Sequence, residues 1–137
     1  MQVLFVCVGN SARSQMAEGF FNVLAPERVK AVSAGTKPAA RVSSKTVEVM
    51  REVGIDIDIK NQSPTLVTQD MIENVARIVT MGCLDEGSCP AFLVEDSSKS
   101  KLVDWEIRDP RAMPLEEYRK VRDAIKKKVE ALVEEFS

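Results

Sequence analysis

The chain has 137 residues, 45% of them apolar, and 21 acidic against 19 basic side chains give a formal charge of -2. That length suits one domain spanning residues 1–137 with a single buried core, and the near balance of charge argues against a basic face for nucleic acid. The sequence contains no histidine, which excludes Ser-His-Asp and Cys-His chemistry and most mixed-ligand zinc sites, so no metal is expected.

In chain order, Gln2 to Val8 is an apolar, β-branched run that ends at Gly9 and reads as a buried strand entering a loop. With no basic residue before it, the run is too short for a signal peptide or a membrane span, so a cytoplasmic protein with no membrane partner is expected. A helix should follow from about Arg13, its apolar face built from Met16, Phe20, Val23 and Leu24, with Pro26 as its stop. Val29 to Ser33 reads as a second strand closed by Ala34-Gly35. Ser43 or Ser44 opens a helix with Val47, Met50 and Val53 on its apolar side and Gly54 as its C-cap. A polar stretch through Asn61 and Pro64 leads to a short helix near Thr68 to Val75, then to the strand Arg77 to Met81. After a loop from Gly82 to about Lys101, Leu102-Val103 with Trp105 forms the last strand. Leu115, Tyr118, Val121, Ile125, Val129, Leu132 and Phe136 trace a C-terminal helical stripe. Four strands alternating with helices predict an α/β fold, a mainly parallel four-stranded sheet with helices on both faces. Ligands of such sheets sit beyond the carboxyl ends of the strands, where Cys7, Cys83 and Asp109 fall.

Cys7-Val8-Gly9-Asn10-Ser11-Ala12-Arg13, set between a strand and a helix, has the build of a cradle for a tetrahedral oxyanion. Backbone N–H groups can wrap inward, and the helix adds its positive end to the same focus. Gly9 permits the tight turn, Asn10 tolerates left-handed geometry, and Arg13 offers a planar fork to two oxygens. The donors that would hold an anion also favour a thiolate at Cys7, and Ser14 is placed to donate to the sulfur. Three cysteines in a chain read as cytoplasmic point to thiol chemistry rather than to a disulfide framework. Cys83 and Cys89 lie in a polar, glycine-containing loop and make a poor zinc site, because no histidine completes the coordination.

The stretch from Cys7 to Gly19, with Ser33-Ala34-Gly35, the cysteine loop, Trp105 and Asp109-Pro110, resembles the low-molecular-weight protein tyrosine phosphatase fold. Within that fold it is most similar to the thioredoxin-coupled arsenate reductases. The resemblance implies a nucleophilic Cys7, an oxyanion bound by residues 8–14, and Asp109 as the general acid for a departing oxygen. It implies further that Cys83 attacks the Cys7 adduct, that Cys89 takes over the disulfide, and that thioredoxin restores the dithiol without a bound cofactor. Thr65 stands where some of those relatives carry an aspartate that helps bind potassium, so Asn10, Glu18 and Ser33 do not establish a cation site. The alternative is a phosphatase hydrolysing aryl phosphates through a phosphocysteine on the same Cys7, Arg13 and Asp109. Cys83 and Cys89 speak against it, as does Arg111 where phosphatases often place a tyrosine. A non-catalytic redox sensor or anion-binding regulator is the third reading, and it leaves the acid without a task.

Overall fold

A computed structural model describes residues 1–58, 62–82, 87, 89–94 and 101–137. Cys83 and Asn61 lie outside the described residues. The elements are β1 (Gln2–Cys7), α1 (Arg13–Leu24), β2 (Lys30–Gly35), α2 (Ser44–Arg51), α3 (Gln69–Glu73), β3 (Arg77–Met81), α4 (Ala91–Val94), β4 (Leu102–Asp104) and α5 (Leu115–Glu134).

The strands pair in the order β2-β1-β3-β4, all parallel. β1 is apolar throughout because it is central and covered on both faces. Its side chains alternate: Val3, Phe5 and Cys7 join one core cluster with α1, α2 and α5, while Leu4 and Val6 join another with Ile72 of α3 and Leu93 of α4. Helices thus lie on both faces, as the alternation of elements predicted. Phe5 anchors the larger cluster, its ring 5.9 Å from Phe21 and 5.7 Å from Trp105. The register sets Cys7 opposite Gly35 on one side and Met81 on the other, so three carboxyl ends meet at one level. The chain crosses from β2 over β1 to β3, which opens the crevice at the end of β1 where ligands of such sheets bind.

The helix faces differ in detail from the sequence reading. Val23 and Leu24 of α1 are exposed, and the buried stripe runs through Met16, Ala17, Phe20 and Phe21. Val53 is likewise exposed and lies past the end of α2. The turn there was legible: Gly54 takes φ +83°, Ile55 N–H reaches Met50 O at 3.0 Å, and Gly54 N–H reaches Arg51 O at 3.0 Å, the paired bonds of a glycine-terminated helix. β2 runs on through Ala34 and Gly35, because Gly35 continues the ladder with Cys7. Trp105 is buried but leaves the strand, since after Trp105 N–H bonds Thr80 O the chain turns tightly and Ile107 N–H bonds Trp105 O. The loop after β3 includes the short helix α4. The C-terminal stripe holds: Tyr118, Val121, Ile125, Val129 and Leu132 are buried, each contributing about 1.5–3 kcal/mol of transfer free energy at full burial. Among the described residues no helix is long and apolar enough to cross a membrane.

Candidate active site

The segment between β1 and α1 is shaped by what its carbonyls do. Val8 O and Gly9 O accept from Lys37 N–H and Ala39 N–H at 2.9 Å each, and Asn10 O accepts from Gln15 Nε2 at 3.0 Å. Ser11 O takes Ser43 N–H at 3.0 Å and Thr46 Oγ1 at 2.9 Å, and Ala12 O takes Met16 N–H at 2.9 Å. Described peptide bonds are trans, so each carbonyl turned toward these donors sends the next residue's N–H the opposite way. The amides of Gly9 to Arg13 therefore face the side on which Cys7 Sγ lies. Asn10 N–H shows this directly, reaching the sulfur at 3.2 Å. Helix α1 has no side-chain cap at Ala12, so its first-turn N–H groups add to the same focus.

Cys7 is buried and free, and Ser14 Oγ lies 2.9 Å from its sulfur. The Ser14 oxygen also accepts from Asn10 Nδ2 at 2.6 Å, so the hydroxyl links the sulfur to Asn10. Asn10 holds φ 50° and is fully buried. Its Nδ2 also donates to Ser33 Oγ at 3.0 Å, its Oδ1 accepts Thr65 N–H at 2.9 Å, and Ser33 Oγ passes a hydrogen bond to Glu18 Oε1 at 2.6 Å. Asn10, Glu18, Ser33 and Thr65 thus form one braced network behind the loop. A Cβ on Gly35 would sit 2.6 Å from Val8 O, so only glycine lets β2 end this close to the loop.

Arg13 is buried, with Nη1 donating to Ile107 O at 3.0 Å and Nη2 lying 3.6 Å from Asp109 Oδ2. Sequence reading placed Arg13 and Asp109 at one site, and the structure brings them together. Asp109 is also held by Arg111, whose N–H reaches Oδ1 at 3.0 Å and whose Nε reaches Oδ2 at 2.5 Å. Ala112 follows with φ 64°. Cys89 lies half-buried just before α4 and is disulfide-bonded.

Several supporting residues carried no sequence signal. Gln15 and Thr46 hold loop carbonyls, Gln62 Nε2 braces Gln15 Oε1 at 2.7 Å, and Tyr118 OH donates to Ser43 Oγ at 3.1 Å. All but the Gln15 bond to Asn10 O act across a long sequence separation. A cleft of about 750 Å³ opens at Ser11, bordered by Arg41, Val42, Ser43, Val47 and Arg111.

A strand-ending thiol, an amide-lined loop, an arginine and a carboxylate thus converge at the end of β1. Residues 2–137 match the family described as low molecular weight phosphotyrosine protein phosphatase. The chain belongs to that family. It is an enzyme of this family by the same match, and its curated relatives include the arsenate reductase of Staphylococcus aureus (strain Newman). The two are 35% identical over 128 residues, which span 93% of this chain and 92% of the relative. Among solved structures, a low molecular weight protein tyrosine phosphatase from T. tengcongensis superposes with a TM-score of 0.84 at 30% identity, covering 98% of this chain and 99% of that one. An arsenate reductase in the phosphate binding state superposes with a TM-score of 0.82 at 30% identity, covering 99% of this chain and 98% of the other.

Proposed function

We propose that residues 1–137 act as one catalytic domain that reduces arsenate to arsenite in the cytoplasm, with Cys7 as nucleophile. The observation that carries the reading is the Cys7 sulfur itself, with Ser14 Oγ at 2.9 Å and Asn10 N–H at 3.2 Å. Two polar groups meet one sulfur at a helix N-terminus, where a nucleophile and the anion it attacks would be held together.

The amides of residues 9–13, with Val8 in the same turn and the fork of Arg13, hold three oxygens of the anion while Cys7 attacks arsenic. Asp109 gives its proton to the fourth oxygen, which departs as water. The product is a covalent arsenyl-cysteine. Cys83 then attacks the Cys7 sulfur, an S–S bond forms, and the S–As electron pair stays on arsenic, which leaves as arsenite. Cys89 attacks Cys83, frees the Cys7 thiolate and leaves a Cys83–Cys89 disulfide for reduced thioredoxin to open. The 35% identity to an arsenate reductase supports this chemistry, as does a cysteine pair that a hydrolase does not need.

The second reading, hydrolysis of an aryl phosphate through a phosphocysteine, draws on the cleft of about 750 Å³ beside Ser11, which has room for a substituent on the bound anion. One assay separates the two: purified protein with arsenate, thioredoxin, thioredoxin reductase and NADPH, and in parallel with an aryl phosphate. Arsenate-dependent NADPH oxidation is expected. Without reductant, wild type should release one arsenite per chain, and Cys89→Ala should do so once and then stall with Cys7 bridged to Cys83. Sustained turnover by Cys89→Ala, or no stoichiometric arsenite from wild type, refutes the three-cysteine relay.

A further inference from the structure

The Arg13 guanidinium must keep one orientation to present two N–H groups to an anion, yet arginine has a long side chain with ample rotamer freedom. Polar contacts fix one edge, through Ile107 O and Asp109. Gly82 fixes another side. It follows β3 directly, with φ +101°, and a Cβ built on it would fall 2.3 Å from Arg13 Nη1 and 3.0 Å from both Cζ and Nη2. The residue 82 backbone therefore lies against the guanidinium, in space that any side chain would occupy. Gly54 makes the contrast: it too has positive φ, at +83°, but nothing lies within 4 Å of its Cβ position. Backbone conformation alone accounts for Gly54. At Gly82 a second constraint is present, the arginine.

We propose that Gly82 is a positioning residue for Arg13, the bare backbone at the end of β3 serving as the wall that sets the guanidinium for the oxyanion. The proposal rests on the reading of Arg13 as an anion ligand. Gly82→Ala would push Nη1 and Nη2 off their positions and misdirect the fork, whereas Arg13→Lys removes the atoms that the new Cβ would meet. The two substitutions should therefore be coupled.

The test measures how well inorganic phosphate protects Cys7 from iodoacetamide in wild type, Gly82→Ala, Arg13→Lys and the double variant, with Gly54→Ala reporting the effect of positive φ alone. Gly82→Ala should weaken protection about tenfold or more in the wild-type background and less than about twofold in the Arg13→Lys background. Gly54→Ala should leave protection unchanged. Equal losses from Gly82→Ala in both backgrounds would assign a purely structural role and overturn the proposal, as would no loss at all. Should Gly82→Ala alone fail to fold, recovery of folding in the double variant supports the clash, and failure of both overturns it. If Arg13→Lys protects like wild type, the anion reading of Arg13 falls and the proposal with it. If Arg13→Lys loses protection while Gly82→Ala does not, the proposal falls alone.

Discussion

Two regions face the same crevice and are held in opposite ways. The loop from Cys7 to Ser14 is buried and tied by backbone and side-chain bonds to partners from residue 15 to residue 65. The Asp109 carboxylate is held chiefly by Arg111, whose side chain is half exposed, with Arg13 at 3.6 Å. Groups that bind charge in place must not move, since misplacement of an electrostatic cradle wastes its preorganisation. A group that delivers a proton has to approach and withdraw, so a solvent-facing ion pair of small strength suits it. On the proposed mechanism, rigidity serves the anion cradle and freedom is left to Asp109 as the acid.

The comparison breaks most severely at the acid. Asp109→Asn should slow the proton-requiring step by about 10²–10⁴-fold while phosphate protection of Cys7 changes by less than about twofold, since the amide oxygen can still face Arg13 and Ile107 O still holds it. A single-turnover rate beside a protection curve checks this, and an unchanged rate would place the acid elsewhere. Asn10→Ala attacks the cradle instead. It removes two buried side-chain hydrogen bonds and one part-buried one and puts a Cβ-bearing residue without a local partner at φ 50°, so a loss of about 2–4 kcal/mol is expected from the urea midpoint. Arg111→Ala sharpens the contrast, because loss of an exposed pair should cost no more than about fivefold in rate and nothing in anion affinity. A larger fall would show that Arg111 sets the acid as firmly as Asn10 sets the loop.

The smallest effect lies outside both regions, on the seam between α2 and α5. Arg119 binds the Glu52 carboxylate through Nη2 at 2.7 Å and Nε at 3.0 Å, with Arg122 Nη1 at 2.7 Å from Oε1. The Arg119 hydrogen bond, chiefly, holds Glu52 below its ordinary value of 4.5. A carboxylate depressed in the folded state adds stability above its unfolded value, and that stability fades as pH falls through the folded one. Melting temperature should therefore drop slightly faster below pH 4.5 in wild type than in Glu52→Gln, and parallel curves would remove Glu52 from the acid response.

Local chemistry was readable where it is local. The apolar run of β1, the spacing from Cys7 to Arg13 and the stripe of α5 each follow from neighbours in sequence, and Ser14 stands beside the sulfur as its position suggests. Helix phase was less legible: Val23, Leu24 and Val53 are apolar yet exposed, because what covers a helix depends on distant elements. The braces Thr46 and Gln62 and the contact of Gly82 with Arg13 act across the tertiary fold, and no periodicity announces a glutamine that holds a carbonyl, even for Gln15, which is near in sequence.

The outward carbonyls of the loop also decide when the site comes into being. A fragment ending at Leu24 holds the thiol, the arginine and the helix, but of the bonds that orient the amides of Gly9 to Ala12 it supplies only that of Gln15 to Asn10 O; Lys37, Ala39 and Ser43 supply the rest. As the chain is synthesised, the capacity to hold an anion therefore matures only after β2 has docked beside β1 and the following segment has passed over the loop. Cys7 therefore has no complete cradle beside it until residues about thirty positions further along the chain have folded over the loop.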